Sequence, residues 1–199
     1  HLSIRRQRQM CIRDRYNTLI TDSVAQFYII IQTLKTEITN PKIKDNQIKI
    51  VDIGTGYGIP GIIISILINL KNLIPMDFPF NNLNLYLIES NQKKAQFLKK
   101  MKEKFNLDIE IINQDCKEYI KKNNNKFEVV ISRAVFPMPK IMDIYQKYSN
   151  FIALWLYTPN YIHLLNKYYL KINSYFSIYQ IYEYQINNNP YYTIIFLRK

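Results

Sequence analysis

The chain has 199 residues, of which 48% are hydrophobic and 21% charged; this is the composition of one folded domain and excludes a disordered segment. Its formal net charge of +12 favours a polyanionic partner, nucleic acid above all, over a basic surface that only aids solubility. Two cysteines and two histidines are too few for a disulfide framework or a zinc cluster, so we expect an intracellular protein that holds no metal.

The amino-terminal segment differs from the rest in its basic residues. Residues 1–15 contain five arginines and one aspartate, whereas only Arg133 and Arg198 lie beyond them. We interpret residues 1–15 as a non-native leader, such as an assembly scar, with an RNA-binding basic arm as the alternative. Residues 16–46 follow as a helical extension, because apolar side chains recur at helical spacing from Tyr16 to about Leu34.

All four glycines of the chain lie between Gly54 and Gly61. A strand-like run, Ile48–Ile53, precedes them, and an apolar run follows that predicts a helix from about Pro60 to Lys71. Alternating glycines predict a sharp turn under a ligand, and the helix start favours an anionic group there. A purely structural turn is the alternative, but such a turn needs only one or two glycines. The longest apolar stretch of the chain, the nine residues from Ile62 to Leu70, is too short to cross a membrane, which takes roughly 20 residues.

Two further strands carry candidate ligand-binding residues at their ends. The strand Leu83–Ile88 ends in Glu89, where a carboxylate can accept hydrogen bonds from both hydroxyls of a ribose; a surface glutamate is the alternative. A helix from Asn91 to Asn106 leads to the strand Asp108–Asn113. The loop after this strand, which leads into a short helix to Lys122, adjoins the base pocket in nucleoside-binding sheets, so its residues Asp115, Cys116 and Lys117 are candidates for contact with a nucleoside base. We expect the Cys116 thiol to be buried or in a loop and not a nucleophile.

The fourth strand, Phe127–Ile131, leads into Ser132 and Arg133. Arg133 is isolated in a lysine-rich chain, and its forked guanidinium offers a bidentate contact that lysine lacks; a solvent-exposed arginine is the alternative. The remaining pattern predicts a helix, a fifth strand, another helix and two long antiparallel strands: Ile141–Tyr148, Phe151–Tyr157, a helix from about Asn160, Tyr175–Ile186 and Tyr191–Leu197. Together these elements predict an α/β fold with a mostly parallel sheet that ends in an antiparallel hairpin.

The glycine loop resembles the first motif of class I S-adenosylmethionine-dependent methyltransferases, in which an acid after a strand precedes G-x-G-x-G; the matching residues are Asp52, Gly54, Gly56 and Gly58. Three stretches are more narrowly similar to the bacterial 16S ribosomal RNA guanine-N7 methyltransferase G family, also called glucose-inhibited division protein B: residues 52–61, 89–98 and 130–134. Asp22-Ser23 also resembles the end of that family's amino-terminal helical portion. The resemblance covers about residues 17–199.

The resemblance implies a Rossmann-like class I methyltransferase domain over residues 47–199, with a seven-stranded, mostly parallel sheet and flanking helices. It implies that the cofactor is S-adenosyl-L-methionine, with Gly54 and Ile59 at its methionine end and Glu89 at its ribose. It also implies that Cys116 and Lys117 contact the adenine. The residues assigned to the cofactor are therefore Asp52, Gly54, Gly56, Gly58, Ile59, Glu89, Cys116, Lys117 and Arg133.

Arg133 is the one residue to which the resemblance gives a catalytic place, at the shared cofactor and guanine site. The implied partner is 16S ribosomal RNA or the small ribosomal subunit, in the cytoplasm, and we expect a monomer without membrane or metal. The chain departs from the family where Trp155-Leu156 stands in place of the usual Lys-Gly after the fifth strand. The family's helices before Asp-Ser are replaced here by the arginine-rich leader.

Two other functions stay open from the sequence. Gly56-x-Gly58-x-x-Gly61 also satisfies the dinucleotide fingerprint of NAD-dependent oxidoreductases, but Glu89 lies 28 residues beyond Gly61, whereas the usual acid follows after about 20. A non-catalytic RNA-binding domain with the same fold is the third alternative. Guanine N7 is a neutral lone pair, so its methylation requires no general base, and the sequence shows no obvious one.

Overall fold

The computed structural model describes residues 2–37, 47–73, 83–123, 127–133, 142–143, 149–156 and 161–198. Its helices are α1 Leu2–Glu37, α2 Gly61–Asn69, α3 Gln92–Phe105, α4 Cys116–Asn123, α5 Tyr161–Lys167 and α6 Tyr169–Tyr175, with a 3₁₀ turn at Lys71–Leu73. Its strands are β1 Ile48–Ile53, β2 Leu83–Ile88, β3 Ile109–Ile112, β4 Phe127–Arg133, β5 Ser149–Leu156, β6 Phe176–Ile186 and β7 Asn189–Arg198.

The described strands form one sheet in the order β3-β2-β1-β4-β5-β7-β6. Neighbours from β3 to β5 pair in parallel, and β7 pairs antiparallel with both β5 and β6. The predicted parallel sheet with an antiparallel hairpin at its end is confirmed. The chain order reverses between β1 and β4, and in open α/β sheets ligands bind outside the carboxyl ends of the strands at such a switch point.

Helices cover both faces of the sheet and enclose two apolar cores. On one face, Ile31 of α1, Ile64 of α2 and Leu98 of α3 pack with strand residues in one cluster. On the other face, Tyr119 of α4 packs with Ile172 of α6 in a second cluster. Burying apolar surface on both faces explains why the central strands are almost continuously hydrophobic. None of the helices in the described ranges combines the length and the apolar character that crossing a membrane requires.

The carboxy-terminal hairpin has a tighter turn than the sequence predicted. Asn187 and Asn188 alone form it, with φ angles of 51° and 62°. Two consecutive residues at positive φ are typical of a type I′ turn, which matches the twist of the flanking strands, and asparagine tolerates this conformation. Asn189 and Pro190, predicted as turn residues, instead begin β7, where proline fits the first positions of a strand.

Two predicted boundaries were wrong because the elements continue past their apolar patterns, at the start of α1 and the end of β4. Helix α1 begins at Leu2 and not Tyr16, since no glycine or proline interrupts residues 2–37. Strand β4 continues past Ile131 to Arg133, which pairs with Trp155. Trp155-Leu156 lies within β5, as the predicted strand Phe151–Tyr157 has it, and not after the strand, where the resemblance placed it. Of the predicted helix at residues 141–148, only residues 142–143 are described, and they are helical; the rest lies outside the described residues.

Candidate functional site

The glycine loop turns sharply at the carboxyl end of β1. Gly54, Gly56 and Gly58 have φ angles of 64°, 63° and 85°, a left-handed conformation that L side chains rarely adopt. The amides of Gly54 and Thr55 both donate to the carbonyl of Ile88, at 2.9 and 3.2 Å. The loop is thereby fixed against the end of β2, with its backbone shape set by the alternating glycines.

Gly56 leaves an open space on the loop. A Cβ added there would meet only the Gly54 carbonyl oxygen, at 4.0 Å. The backbone at this point is therefore accessible to another molecule, and a side chain would occupy the space that a ligand needs. The close approach of a ligand that the alternating glycines predicted stays a prediction, and the space for it is open at Gly56.

Gly58 and Gly61 serve the packing of the protein itself. A Cβ on Gly58 would lie 2.2 Å from Cγ1 of Ile62, and a Cβ on Gly61 would lie 2.2 Å from Cδ2 of Leu87 and 2.8 Å from Oδ2 of Asp52. Neither separation is tolerable, so these glycines allow α2 to approach β1 and β2 closely. The space beside the Gly58 Cα is filled by Ile62 and Leu98 of the protein itself. The contact of Gly58 with a cofactor that the sequence predicted stays a prediction.

Asp52 is completely buried beneath the loop. Its Oδ2 accepts hydrogen bonds from the Thr55 hydroxyl at 2.7 Å and from the Gly61 amide at 3.0 Å, whereas Oδ1 has no partner among the described residues. Burial raises the pKa of Asp52 to about 6, against the lowering effect of these hydrogen bonds and of the charge of Arg133. An incompletely compensated carboxylate of this kind fits a positively charged group nearby.

Glu89 joins the glycine loop to the end of β2. Its Oε2 accepts from the Gly56 amide at 2.9 Å, and its Oε1 accepts from the Asn91 amide at 2.8 Å. Each carboxylate oxygen can accept more than one hydrogen bond, so both oxygens keep acceptor capacity for the hydroxyls of a ligand. Asn113, which the sequence reading did not single out, donates through Nδ2 to the carbonyl of Glu89 at 2.8 Å and ties in the end of β3.

The residues after β3 divide between helix capping and burial. Asp115 Oδ1 accepts from the amides of Lys117 and Glu118, at 2.9 and 3.3 Å, and so caps α4. Cys116 is buried, and burial raises the pKa of its thiol to about 11. A thiol in this state is not a nucleophile at neutral pH, in agreement with the sequence interpretation. The Lys117 side chain is exposed.

Arg133 ends β4, next to β1 at the switch point. Burial lowers its pKa, while the negative charges of Asp22 and Asp52 act in the opposite direction. Asp52 pairs with Ile131, and side chains two positions apart share a face of a strand, so Arg133 projects from the same face as Asp52. Arg133 is thus partly buried between two acidic side chains and keeps its charge.

A buried polar network, formed by Asp22, Gln26, Tyr184 and Thr193, surrounds one of these acids. Asp22 Oδ1 accepts from the Tyr184 hydroxyl at 2.6 Å, and Oδ2 accepts from Nε2 of Gln26 at 3.3 Å. The Tyr184 hydroxyl also lies 3.2 Å from Oγ1 of Thr193. Of this network the sequence pointed only to Asp22, through the Asp-Ser resemblance, because a single tyrosine in β6 and a single threonine in β7 carry no distinctive signal.

The comparisons with known proteins agree with this arrangement. Residues 29–158 match the sequence model of the family described as GidB, rRNA small subunit methyltransferase G. The chain belongs to this family. Ribosomal RNA small subunit methyltransferase G of Mycoplasma capricolum is 42% identical over 97 residues, and that of Ureaplasma parvum serovar 3 (strain ATCC 700970) is 34% identical over 102.

These two matches cover 48% and 51% of this GidB-family chain and 36% and 42% of the relatives. The chain thus matches less than half the length of each. Among solved structures, M. capricolum TrmK in complex with S-adenosylhomocysteine has a TM-score of 0.55 at 20% identity, covering 79% of this chain and 65% of that one. M. jannaschii TYW2 in complex with AdoMet has a TM-score of 0.56 at 13% identity, covering 92% and 77%. Both confirm the Rossmann-like methyltransferase fold.

The predicted site residues of this family member lie together at the carboxyl ends of the central strands. Asp52 with the half-buried Gly54 and Ile59, Glu89, Cys116 and Arg133 follow or end β1, β2, β3 and β4. Within the part of the chain that the structure describes, no three histidine, cysteine, aspartate or glutamate side chains come close enough to hold a metal ion. The arrangement can bind a ligand that carries hydroxyl groups and a positive charge.

Proposed function

We propose that this chain catalyses S-adenosylmethionine-dependent methylation of guanine N7 in 16S ribosomal RNA, in the cytoplasm where the small ribosomal subunit is found. The observation that carries the proposal is the loop of a GidB-family chain that is open at Gly56 and flanked by Asp52 and Glu89. Backbone accessibility, hydroxyl acceptors and a buried negative charge are what a ribose-bearing sulfonium cofactor requires.

The residues fit such a cofactor individually. Glu89 keeps acceptor capacity for both ribose hydroxyls, and the space at Gly56 admits the ligand to the backbone. The Asp52 carboxylate, whose Oδ1 is buried without a partner among the described residues, offers a negative field to a cationic ligand. Gly54 and Ile59 would hold the methionine end. Cys116 and Lys117 would border the adenine, the former as an apolar neighbour and not as an anion.

S-adenosylmethionine supplies an electrophilic methyl group bonded to a sulfonium sulfur. The lone pair of guanine N7 can attack this methyl group directly, because N7 carries no proton that must first be removed. The protein then has to position the base and exclude competing orientations, and it needs no general base. Arg133 would hold the guanine by donating to its O6 acceptor, which leaves N7 free. The charges of Asp22 and Asp52 favour the charged form of the Arg133 guanidinium, against the effect of its partial burial on its pKa.

Transfer of tritiated methyl groups to ribosomal RNA tests the proposal. The purified chain is incubated with labelled S-adenosylmethionine and either small subunits or naked 16S RNA from cells that lack the modification, and N7-methylguanine is located by borohydride-induced strand scission. We expect label at one guanine. Arg133→Lys, which keeps the charge but loses the fork, should lower the rate by about 10- to 100-fold.

Bound cofactor with no transfer to either RNA would contradict catalysis and favour an RNA-binding domain without activity. Two further measurements test the lesser parts of the proposal. In a fixed excess of Mg²⁺ for the RNA, we expect equal rates from chain that was first dialysed against EDTA and from untreated chain, since N7 attack needs no metal-activated base. We also expect the mass of a monomer in light scattering.

A further inference from the structure

An aromatic side chain stands in solvent at the tip of the glycine loop. Tyr57, between Gly56 and Gly58, is 64% exposed. Its ring contacts the edge of Phe97 on α3, with centroids 5.5 Å apart and planes at 84°, and Phe97 is itself 37% exposed. Packing within the protein therefore leaves much of this aromatic pair accessible, directly beside the space at Gly56.

The helix beneath this pair is strongly basic. Helix α3 carries six lysines and one acid, Glu103. The ammonium nitrogen of Lys94 lies 5.6 Å from the centre of the Tyr57 ring, a cation–π distance. An exposed aromatic pair with a cation against it, on a basic helix, complements a ligand that has both flat rings and negative charge.

We propose that Tyr57, Phe97 and Lys94, here called the aromatic rim, bind an unpaired RNA base next to the reacting guanine. Bases stack on exposed aromatic rings whatever their sequence, and lysines beside the rings contact the adjoining phosphates. The positive charge of α3 favours nucleic acid as the ligand over an apolar protein surface, because an apolar surface would gain nothing from the six lysines of this helix. The inference rests on the proposed function, because it assigns a contact to the RNA substrate of that same site.

The position of the aromatic rim supports this role. Tyr57 is next in sequence to Gly56, whose amide is held by Glu89, so the rim borders the candidate cofactor site. A base held there would anchor the strand on one side of the target guanine. Single-stranded or unstacked RNA, not a regular helix, is the form whose bases can reach such a surface.

The experiment compares RNA affinities of the full chain and two matched variants. The probe is a fluorescein-labelled single-stranded RNA of about 12 nucleotides, within the usual site sizes, titrated by anisotropy in the presence of S-adenosylhomocysteine. The test variant is Tyr57→Ala with Phe97→Ala. The control is Phe105→Ala, because Phe105 is 47% exposed and has Lys104 at 5.5 Å from its ring, on the same helix about 12 Å further along its axis.

We expect the double variant to bind RNA about 5- to 100-fold more weakly, with unchanged cofactor affinity, and the control to bind as the parent chain does. Equal RNA affinity of all three proteins would overturn the inference. A similar loss in the control would overturn it too, since any basic aromatic surface would then suffice. Weaker cofactor binding with unchanged RNA affinity would place the rim in the cofactor site instead.

A conservative second variant separates stacking from charge. Lys94→Gln retains the aromatic pair and should reduce the slope of log affinity against log salt by about 0.7, the value for one phosphate contact on a single strand; an unchanged slope would contradict the contact of Lys94. Failure of the proposed function is distinguishable, because it appears as absent methyl transfer by the parent chain, whereas failure of this inference appears as unchanged RNA affinity of the variants.

Discussion

The glycine loop and the polar network of Asp22 and Tyr184 both border the switch point of the sheet, but they are held together differently. The loop is held from below by Asp52, which binds Thr55 and Gly61 within ten residues, and its other hydrogen bonds reach only the end of the neighbouring strand β2, at Ile88 and Glu89. The network instead joins α1 to the carboxy-terminal hairpin, through side chains 162 positions apart. Changes on the open side of the loop, at Gly56, should therefore act first on the ligand, whereas changes at its packed side and in the network should act first on the stability of the fold.

The largest expected effect is on cofactor binding by Gly56→Val. The valine side chain would enter the open space at Gly56, so we expect at least a 100-fold loss of S-adenosylmethionine affinity, or about 2.7 kcal/mol. The left-handed backbone should cost about 1–2 kcal/mol of stability, leaving the protein folded. Calorimetric titration and circular dichroism measure the two effects. Retained micromolar affinity would show that the ligand does not bind at Gly56.

Gly58→Ala is the matched comparison within the same loop. The added methyl group would lie 2.2 Å from Ile62 on a backbone with φ of 85°, so crowding and conformational strain add. We expect the free energy of unfolding to fall by about 2–5 kcal/mol. Urea denaturation gives the value. A loss below 1 kcal/mol would mean that the loop can shift and that Gly58 is not a packing residue.

The pH dependence of stability tests the burial of Asp52. Its pKa rises from 3.8 to about 6 on folding, which corresponds to about 3 kcal/mol. The unfolded carboxyl ionises first as pH rises, so the favourable contribution is complete below pH 4 and is lost as pH rises through about 6. Asp52→Asn lacks this loss, and its stability relative to the parent chain should increase from pH 4 to pH 7. A pH-independent difference between the two proteins would contradict the raised pKa.

The network gives a smaller effect. Tyr184→Phe removes the hydroxyl that donates to buried Asp22, and we expect a loss of about 1.5–3 kcal/mol in urea denaturation, since the acceptor is charged. Tyr182→Phe is the control on the same strand, because its half-buried ring packs against the core. Equal effects of both substitutions would indicate that Tyr184 contributes by packing alone.

The smallest effect concerns residues 1–15. If they are a non-native leader, their removal should change neither cofactor affinity nor RNA affinity by more than about twofold. If they are a basic arm, RNA affinity should fall and the salt slope should decrease. Filter binding at two salt concentrations distinguishes the two results. The structure places residues 2–15 in the same helix as the rest of α1, which by itself favours neither.

Local patterns allowed most of the fold and the loop to be predicted. Strands β1 and β2 and helix α3 lie where the hydrophobic pattern placed them, to within one residue at each end, because their formation depends on nearby residues. The end of β4 was harder to predict, since Ser132 and Arg133 are held in the sheet by pairing with Leu154 and Trp155 of β5. Such tertiary pairing leaves no trace in the local pattern.

The site was predictable to the same extent. Asp52, within β1, was assigned from the glycine-loop motif, and Glu89, after β2, from its position at a strand end. Which glycines leave open space and which pack against the protein could be seen only from coordinates, because it depends on what each Cα faces. Tyr184 and Thr193 were missed entirely. Their hydroxyls become significant only because the hairpin folds back against α1, a contact that sequence separation conceals.

Calorimetric titration of the chain with S-adenosylmethionine, with NAD as a parallel titrant, tests the central claim that the glycine loop binds the methyl donor. We expect a dissociation constant near 1 μM, about 8 kcal/mol, for S-adenosylmethionine and no heat from NAD. Binding of NAD alone would contradict the claim and make the loop a dinucleotide site. Binding of neither would show that the open space at Gly56 receives no cofactor.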